Sequence, residues 1–375
     1  RQAFGPFPTR TPLNARVTGR EPGDRYDIER LLYESRPGNL VSANLYRPAV
    51  CRQGGRHPAA LVLCGHSERG KQYDIYQAAA AALADKGFIT LILDPIEQGE
   101  RRQFDHVAES ERPRLCAAHN IIGNQMALVG EFFGMWRVWD AIRGLDYLLA
   151  RPETDRTRVG VTGNSGGGTL TAYVAALDPR PTMVAPSCYI CSYGANLQNE
   201  LPSDAEQNPP GILAAGLDQA DLLLAYAPRP TLVLGAHDDF FDARYTRRAA
   251  AEMGRVHRLL GRRGTAACEI GPGGHGFSQV NREAMLAFFM RHAGLAGESR
   301  ERPFTPRPDA ALWAAPGGSV LAAGSRRIQE MIRDEAAAWR CRRPALGEAA
   351  LIRTAVRRLG VRRKDRPPHY RLLSG

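Results

Sequence analysis

The chain has 375 residues, 43% of them hydrophobic and 24% charged, with a formal net charge of +11 at pH 7. That is room for one α/β domain of about 290 residues and an appendage. No apolar run is long enough to span a membrane as a helix, so no membrane span is expected. The positive charge invites a nucleic-acid reading, but its distribution argues against one. Residues 300–375 hold 17 Arg or Lys against 7 Asp or Glu, while the rest of the chain is close to neutral at 33 against 32. The excess is mostly arginine with no interleaved aromatic residues, so no nucleic-acid partner is expected.

In chain order, Tyr26 to Ser35 and Leu40 to Pro48 read as a hairpin across Pro37-Gly38-Asn39, with about 25 residues before the first strand. Ala59 to Cys64 reads as a strand, and the alanine-rich stretch Ile75 to Lys86 as a helix stopped at Gly87. Phe88 to Asp94 (FITLILD) is a continuous apolar strand, as a sheet covered on both faces requires. Asn124 to Ala150 carries one long helical pattern ending before Pro152. An apolar run, Val159-Gly160-Val161, leads into a glycine-rich turn and then a helix, Thr169 to Leu177. Further strands are expected at Thr182 to Ile190, Pro230 to Ala236 and Ala266 to Ile270, and a helix from Gln279. Arg326 to Cys341 and Leu346 to Leu359 read as two short helices of a basic tail. The whole is an α/β chain: a doubly wound, mostly parallel sheet with an antiparallel start, as a catalytic domain over 1–298 and a tail or connector over 299–375.

Two connections are longer than such a fold needs. Pro95 to Gly123 contains Glu97 and Gln98, and Ser192 to Leu224 contains Asp204 and Glu206. Both begin at strand C-termini, so these four residues are expected to wall a substrate pocket. The seven cysteines are scattered and give no disulfide framework. Cys188 and Cys191 have CxxC spacing, but no second pair completes a zinc site, and in a strand their side chains would point to opposite faces.

The most informative stretch is Gly163-Asn164-Ser165-Gly166-Gly167, a G-x-S-x-G turn between strand and helix. It is the form of a nucleophile elbow, where glycines permit the tight backbone approach that exposes the serine hydroxyl. A serine needs a base, itself oriented by an acid. His275 lies in a glycine-rich loop after the strand Ala266 to Ile270, and Asp238 and Asp239 follow the strand ending at Ala236. Either aspartate can supply the acid, with the Asp204 to Gln207 loop a third source. The oxyanion donors are expected to be the amides of Gly166 and of His66 or Ser67.

With Asp94-Pro95-Ile96-Glu97-Gln98-Gly99-Glu100-Arg101, Asp204-Ala205-Glu206-Gln207, Asp239-Phe240-Phe241 and Gly274-His275-Gly276 beside the elbow, the chain resembles the bacterial acetyl-xylan-esterase-like α/β-hydrolases. These are related to prolyl-oligopeptidase-type and dienelactone-type hydrolases. The resemblance covers roughly residues 10 to 295. It implies an α/β-hydrolase fold, Ser165 as nucleophile, His275 as base and Asp238 or Asp239 as acid. Members often act on ester-decorated plant polysaccharides and are often exported, and some carry a second hydrolase-like module to which the basic tail would connect.

The expected activity is therefore that of a serine carboxylester hydrolase acting through an acyl-enzyme on an ester substrate such as an acetylated polysaccharide or oligosaccharide. No metal or organic cofactor is expected. The alternatives are a prolyl-oligopeptidase-type peptidase, a glucuronoyl-type esterase, and a catalytically silent module of a larger protein.

Overall fold

The structure is a computed structural model that describes residues 3–199, 204–342 and 345–360. The chain divides into two compact units, residues 1–332 and 333–375. The first is built on a nine-stranded sheet: β1 (Arg16–Glu21), β2 (Tyr26–Arg36), β3 (Asn39–Pro48), β4 (His57–Leu63), β5 (Ile89–Leu93), β6 (Thr154–Asn164), β7 (Met183–Ser187), β8 (Thr231–Ala236) and β9 (Ala266–Gly271). The spatial order is β1-β2-β3-β5-β4-β6-β7-β8-β9. The pairs β1/β2, β2/β3 and β3/β5 are antiparallel. From β5 to β9 every pair is parallel. The expected doubly wound sheet with an antiparallel start is thus present, with one further edge strand, β1, before the hairpin.

Strand alternation sorts the core into two layers. Leu61, Leu63, Leu91 and Leu93 face one side with Val138, Trp139 and Ile142. Ala60, Val62 and Ile92 face the other with Ala79, Ala80 and Phe289. Each buried leucine contributes about 2 kcal/mol relative to exposure. The helices that cover these faces include α1 (Asp74–Asp85), α2 (Leu115–Ala127), α3 (Phe133–Ala150), α4 (Gly166–Leu177), α5 (Tyr193–Gln198), α6 (Gln219–Leu224), α7 (Ala243–Leu259) and α8 (Gln279–Ala293). The single helix expected over 124–150 is two, α2 and α3. The break falls at Gly130, whose φ of 76° is outside the helical range. The strand expected to run to Ile190 stops at Ser187, because Cys188 turns away with φ 50°.

The boundary expected at residue 298 also moves. After α9 (Asp309–Leu312), Ala314, Ala315 and Val320 pack on Leu32 and Leu40. The Glu100 carboxylate accepts from the amides of Ala314 (2.9 Å) and Ala315 (2.6 Å). It also pairs with Lys71, which is fully buried and bonds Asp94 Oδ2 at 3.0 Å. The Asp94 to Arg101 stretch therefore anchors the following segment into the first unit, and Arg101 closes the junction on Asp140 at 2.7 Å.

The second unit takes in most of α10 (Ile328–Arg342) and α11 (Glu348–Leu359). α11 exposes Leu351, Ile352, Val356 and Leu359. The end of the expected connector, Tyr370-Arg371-Leu372, lies outside the described residues.

Candidate active site

Ser165 sits between β6 and α4 with φ 59° and ψ −122°, a conformation a non-glycine residue holds only under tertiary constraint. Its neighbours supply the constraint. A Cβ on Gly163 would lie 2.3 Å from Leu63 O, and one on Gly167 would lie 1.9 Å from the same oxygen. Only glycine allows the turn to pass so close to β4. The Ser165 amide donates to Ser187 O at 2.9 Å, fixing the elbow to β7. The hydroxyl makes no hydrogen bond to a described residue, and the side of α4's N-terminus favours negative charge there.

The loop after β4 approaches the elbow from the other side. Gly65 N–H donates to the Tyr76 hydroxyl at 2.6 Å. Gln98 Nε2 donates to Gly65 O (2.7 Å) and Ser67 O (3.0 Å). Those bonds set the loop's course and leave the amides of Gly166, His66 and Ser67 without a hydrogen-bond partner among the described residues.

His275 follows β9, and Asp239 follows β8. Asp238 N–H donates to Gly273 O and His237 N–H to Gly271 O, both at 2.9 Å, so the two loops are clipped together. His275 Nδ1 lies 2.9 Å from Asp239 Oδ1 and 3.0 Å from Oδ2. The Asp239 side chain is wholly buried while that of His275 is 24% exposed. Phe240 stacks on the imidazole with centroids 4.2 Å apart. Asp238 is placed otherwise: its carboxylate meets His237 at 2.7 Å, and both are exposed. Of the two candidate acids, the structure brings Asp239 and not Asp238 to the histidine. Cys188 joins this group, its thiol lying close to both Asp239 and His275 and donating to Gly276 O at 3.4 Å. Burial raises that thiol to about 12, so it stays protonated.

The four expected pocket residues are all inside the protein, a correction to their reading as pocket walls. Gln98 positions the loop after β4. Glu97, at φ 66°, accepts from Gln103 N–H at 2.5 Å. Asp204 partners other histidines than His275, which also removes its loop as the acid's source. Its Oδ2 lies 2.8 Å from His66 Nε2 and 2.8 Å from His119 Nδ1. Glu206 contacts Arg137 and lies 3.5 Å from His66 Nε2. A Cβ on Gly166 would meet Glu206 Oε1 at 2.5 Å, so this cluster stands directly behind the elbow.

The electrostatics follow from burial and pairing. Burial opposes charge on His66, but Asp204 and Cys116 outweigh it and raise the imidazole to about 9. For His119 burial prevails over the Asp204 bond and lowers it to about 4. Burial would raise Asp204, yet the two imidazoles hold it well below the usual carboxylate range. His119 and Arg137 went unnoticed in sequence. The one signal for Arg137 was a lone arginine inside the apolar run Phe133-Gly134-Met135-Trp136-Arg137-Val138-Trp139.

The chain is similar to known proteins in sequence and in fold. Residues 23–206 match the family described as acetyl xylan esterase (AXE1). The chain resembles that family. The match takes in Ser165, His66, His119, Asp204 and Glu206, and ends before Asp239 and His275. A "Putative hydrolase YtaP" of Bacillus subtilis (strain 168) is 24% identical over 300 residues, 77% of this chain and 95% of that one. Among solved structures, "Methylesterase BT1017" superposes with a TM-score of 0.68 at 23% identity, over 94% of this chain and 72% of that one. A glucuronoyl esterase from Solibacter usitatus gives 0.57 at 19% identity, over 77% and 88%. The fold is that of an α/β-hydrolase, as the elbow and the resemblance implied. Among the described residues, no helix is long and apolar enough to cross a membrane.

Proposed function

We propose that this chain is a serine carboxylester hydrolase acting on esters carried by carbohydrate, with acetyl the acyl group. The observations that carry the reading are a strained elbow serine after β6 and, after the neighbouring parallel strands β8 and β9, a buried aspartate bonded to a partly exposed histidine. The acetyl xylan esterase resemblance supports the substrate class.

Asp239 occupies His275 Nδ1 and so leaves Nε2 as the nitrogen for Ser165. In the reaction His275 takes the Ser165 proton as Oγ attacks the ester carbonyl. The oxyanion rests on the amides of Gly166 and of His66 or Ser67. His275 returns the proton to the leaving alcohol, and water then releases the acid from the acyl-serine by the same route. Asp239 already holds the His275 ring, and the Ser165–His275 bond forms as substrate binds.

The test is hydrolysis of 4-nitrophenyl acetate and a longer acyl homologue by wild type and Ser165→Ala, with acetate release from acetylated xylan in parallel. Acetate-preferring turnover, lost in the variant, supports the reading. Folded wild-type protein inert toward acetyl esters but active on a uronate ester would overturn the acyl assignment, and inertness toward every ester would overturn the enzyme.

A further inference from the structure

Behind the elbow, four side chains converge whose geometry no hydrogen-bonding scheme with neutral imidazoles and an ionised Asp204 satisfies. His66 Nε2, His119 Nδ1, Asp204 Oδ2 and Glu206 Oε1 all lie within 4.8 Å of one another. We propose that His66, His119 and Asp204, with Glu206 in the fourth position, bind a divalent zinc ion. The inference does not depend on the esterase reading.

The argument starts at His119. Its Nε2 lies 3.1 Å from Ile96 O and its Nδ1 lies 2.8 Å from Asp204 Oδ2. A neutral imidazole has one ring proton. If Ile96 O receives it, the Nδ1 lone pair faces a carboxylate oxygen at 2.8 Å, which is repulsive unless a cation stands between them. If Asp204 receives it, the Nε2 lone pair faces the carbonyl. Two protons on this ring would place an imidazolium, with no side-chain exposure, beside the equally buried Arg137.

A metal ion removes the conflict. A histidine ligand ordinarily donates its second ring N–H to a backbone carbonyl, which fixes tautomer and orientation, and Ile96 O is that carbonyl. The carboxylate is held in the same way: Asp204 Oδ1 accepts from Glu206 N–H at 2.9 Å, leaving Oδ2 toward both imidazoles. Donors about 2.0–2.2 Å from a tetrahedral zinc ion stand about 3.2–3.6 Å apart. The separations of 2.8, 2.8 and 3.5 Å need shifts of only a few tenths of an ångström.

Glu206 supplies the second observation. Its side chain is completely buried, and neither carboxylate oxygen has a hydrogen bond of normal geometry. Arg137, in contact with it, offsets one of the two carboxylate charges, so a divalent ion leaves the cluster at +1. Four donors drawn from imidazoles and carboxylates match the four-coordinate tetrahedral site that zinc takes.

The frame is built for rigidity. Asn120 Oδ1 accepts from Ala205 N–H at 2.8 Å, joining α2 to the Asp204 segment. The ion would add the loop after β4 to that junction and so hold His66, whose ring lies 3.1 Å from where a Cβ on Gly166 would stand.

The protein is stripped with a chelator, dialysed against zinc chloride and then against buffer, and its zinc measured by mass spectrometry. Cobalt(II) is added to a second stripped sample and read by visible absorption. We expect about one zinc per chain and tetrahedral cobalt bands, both lost in Asp204→Asn and in His119→Gln, whose folding is checked by circular dichroism. His275→Asn is the control that disrupts the Cys188–Asp239–His275 group, and it keeps its zinc. Wild type retaining under about 0.1 zinc per chain overturns the site, as does zinc that survives Asp204→Asn and His119→Gln but is lost in His275→Asn. Should neither cluster variant fold, absence of cobalt bands from wild type overturns it alone.

Discussion

Two histidine–aspartate arrangements flank Ser165, and they are built to opposite ends. Asp239 holds one nitrogen of His275 and leaves the ring half open under Phe240. Asp204 takes one nitrogen from each of two histidines behind the elbow, His119 fully buried and His66 15% exposed. The same residue types give a movable proton in the first place and a fixed charge cluster in the second. What separates them is access. A general base needs one free ring nitrogen at the reacting group, whereas a sealed imidazole can only hold neighbours in position.

The comparison breaks most sharply at the open pair. Ser165→Ala and His275→Ala are each expected to reduce kcat about 10⁶-fold, and the double variant to be no worse, because the two act as one unit. Turnover of a soluble acetyl ester by the three variants measures this, and additive losses would contradict it. Asp239→Asn is expected to cost about 10⁴-fold through the wrong tautomer of His275. Asp238→Asn, which loses only an exposed contact with His237, is expected to cost less than about fivefold. If the two asparagine variants behaved alike, the assignment of the acid would be wrong.

The sealed cluster should respond in stability. Glu206→Gln leaves Arg137 buried opposite an amide, with no side-chain exposure on either member of the pair. A loss of about 3–5 kcal/mol is expected from stranding that charge, read as the shift in urea midpoint at constant slope. A change under about 1 kcal/mol would mean that water or a rearranged partner reaches the guanidinium.

The open site was largely legible in sequence because its signals are local. Gly163 and Gly167 announce the close passage past β4, and apolar runs fix the strands whose ends carry the acid and base. The choice between Asp238 and Asp239 was not local. It turns on a clip between two loops, Asp238 N–H to Gly273 O, that no spacing reveals. Phe240 and Phe241 were the available hint, since both pack on the His275 ring. The sealed cluster was illegible because its members come from positions 66, 119, 137, 204 and 206, brought together only by folding. The long connections were noticed, but charged residues in them read as walls of a substrate pocket. In the structure they are buried and paired, as Asp94, Glu100 and Arg101 also are. The segment after residue 298 was misjudged for the same reason, as its attachment is made by backbone amides on Glu100.

Glu97 isolates what the imidazoles do for a buried carboxylate. It belongs to the same kind of long connection as Asp204 and is almost equally buried, but no histidine partners it. Burial pushes it up to about 7, only partly opposed by the Gln103 amide and by Arg102 and Arg112, where Asp204 is pushed down. A raised folded-state value means that the folded protein holds the proton more tightly than the unfolded chain, in which glutamate titrates near 4.3. The stabilisation is fully present below about pH 4.3 and is lost as pH rises through about 7, by about 4 kcal/mol across that window. Glu97→Gln removes the titration while keeping a side chain of the same shape. Unfolding free energies at pH 5 and pH 8 should therefore fall more steeply for wild type than for Glu97→Gln, and the two proteins should converge toward the acid end. Asp204 cannot mimic this, because a depressed carboxylate loses its stabilisation only on further acidification. Parallel wild-type and variant profiles between pH 5 and 8 would show that Glu97 is ionised in the folded protein, and that a carboxylate in this loop needs no imidazole to keep its charge.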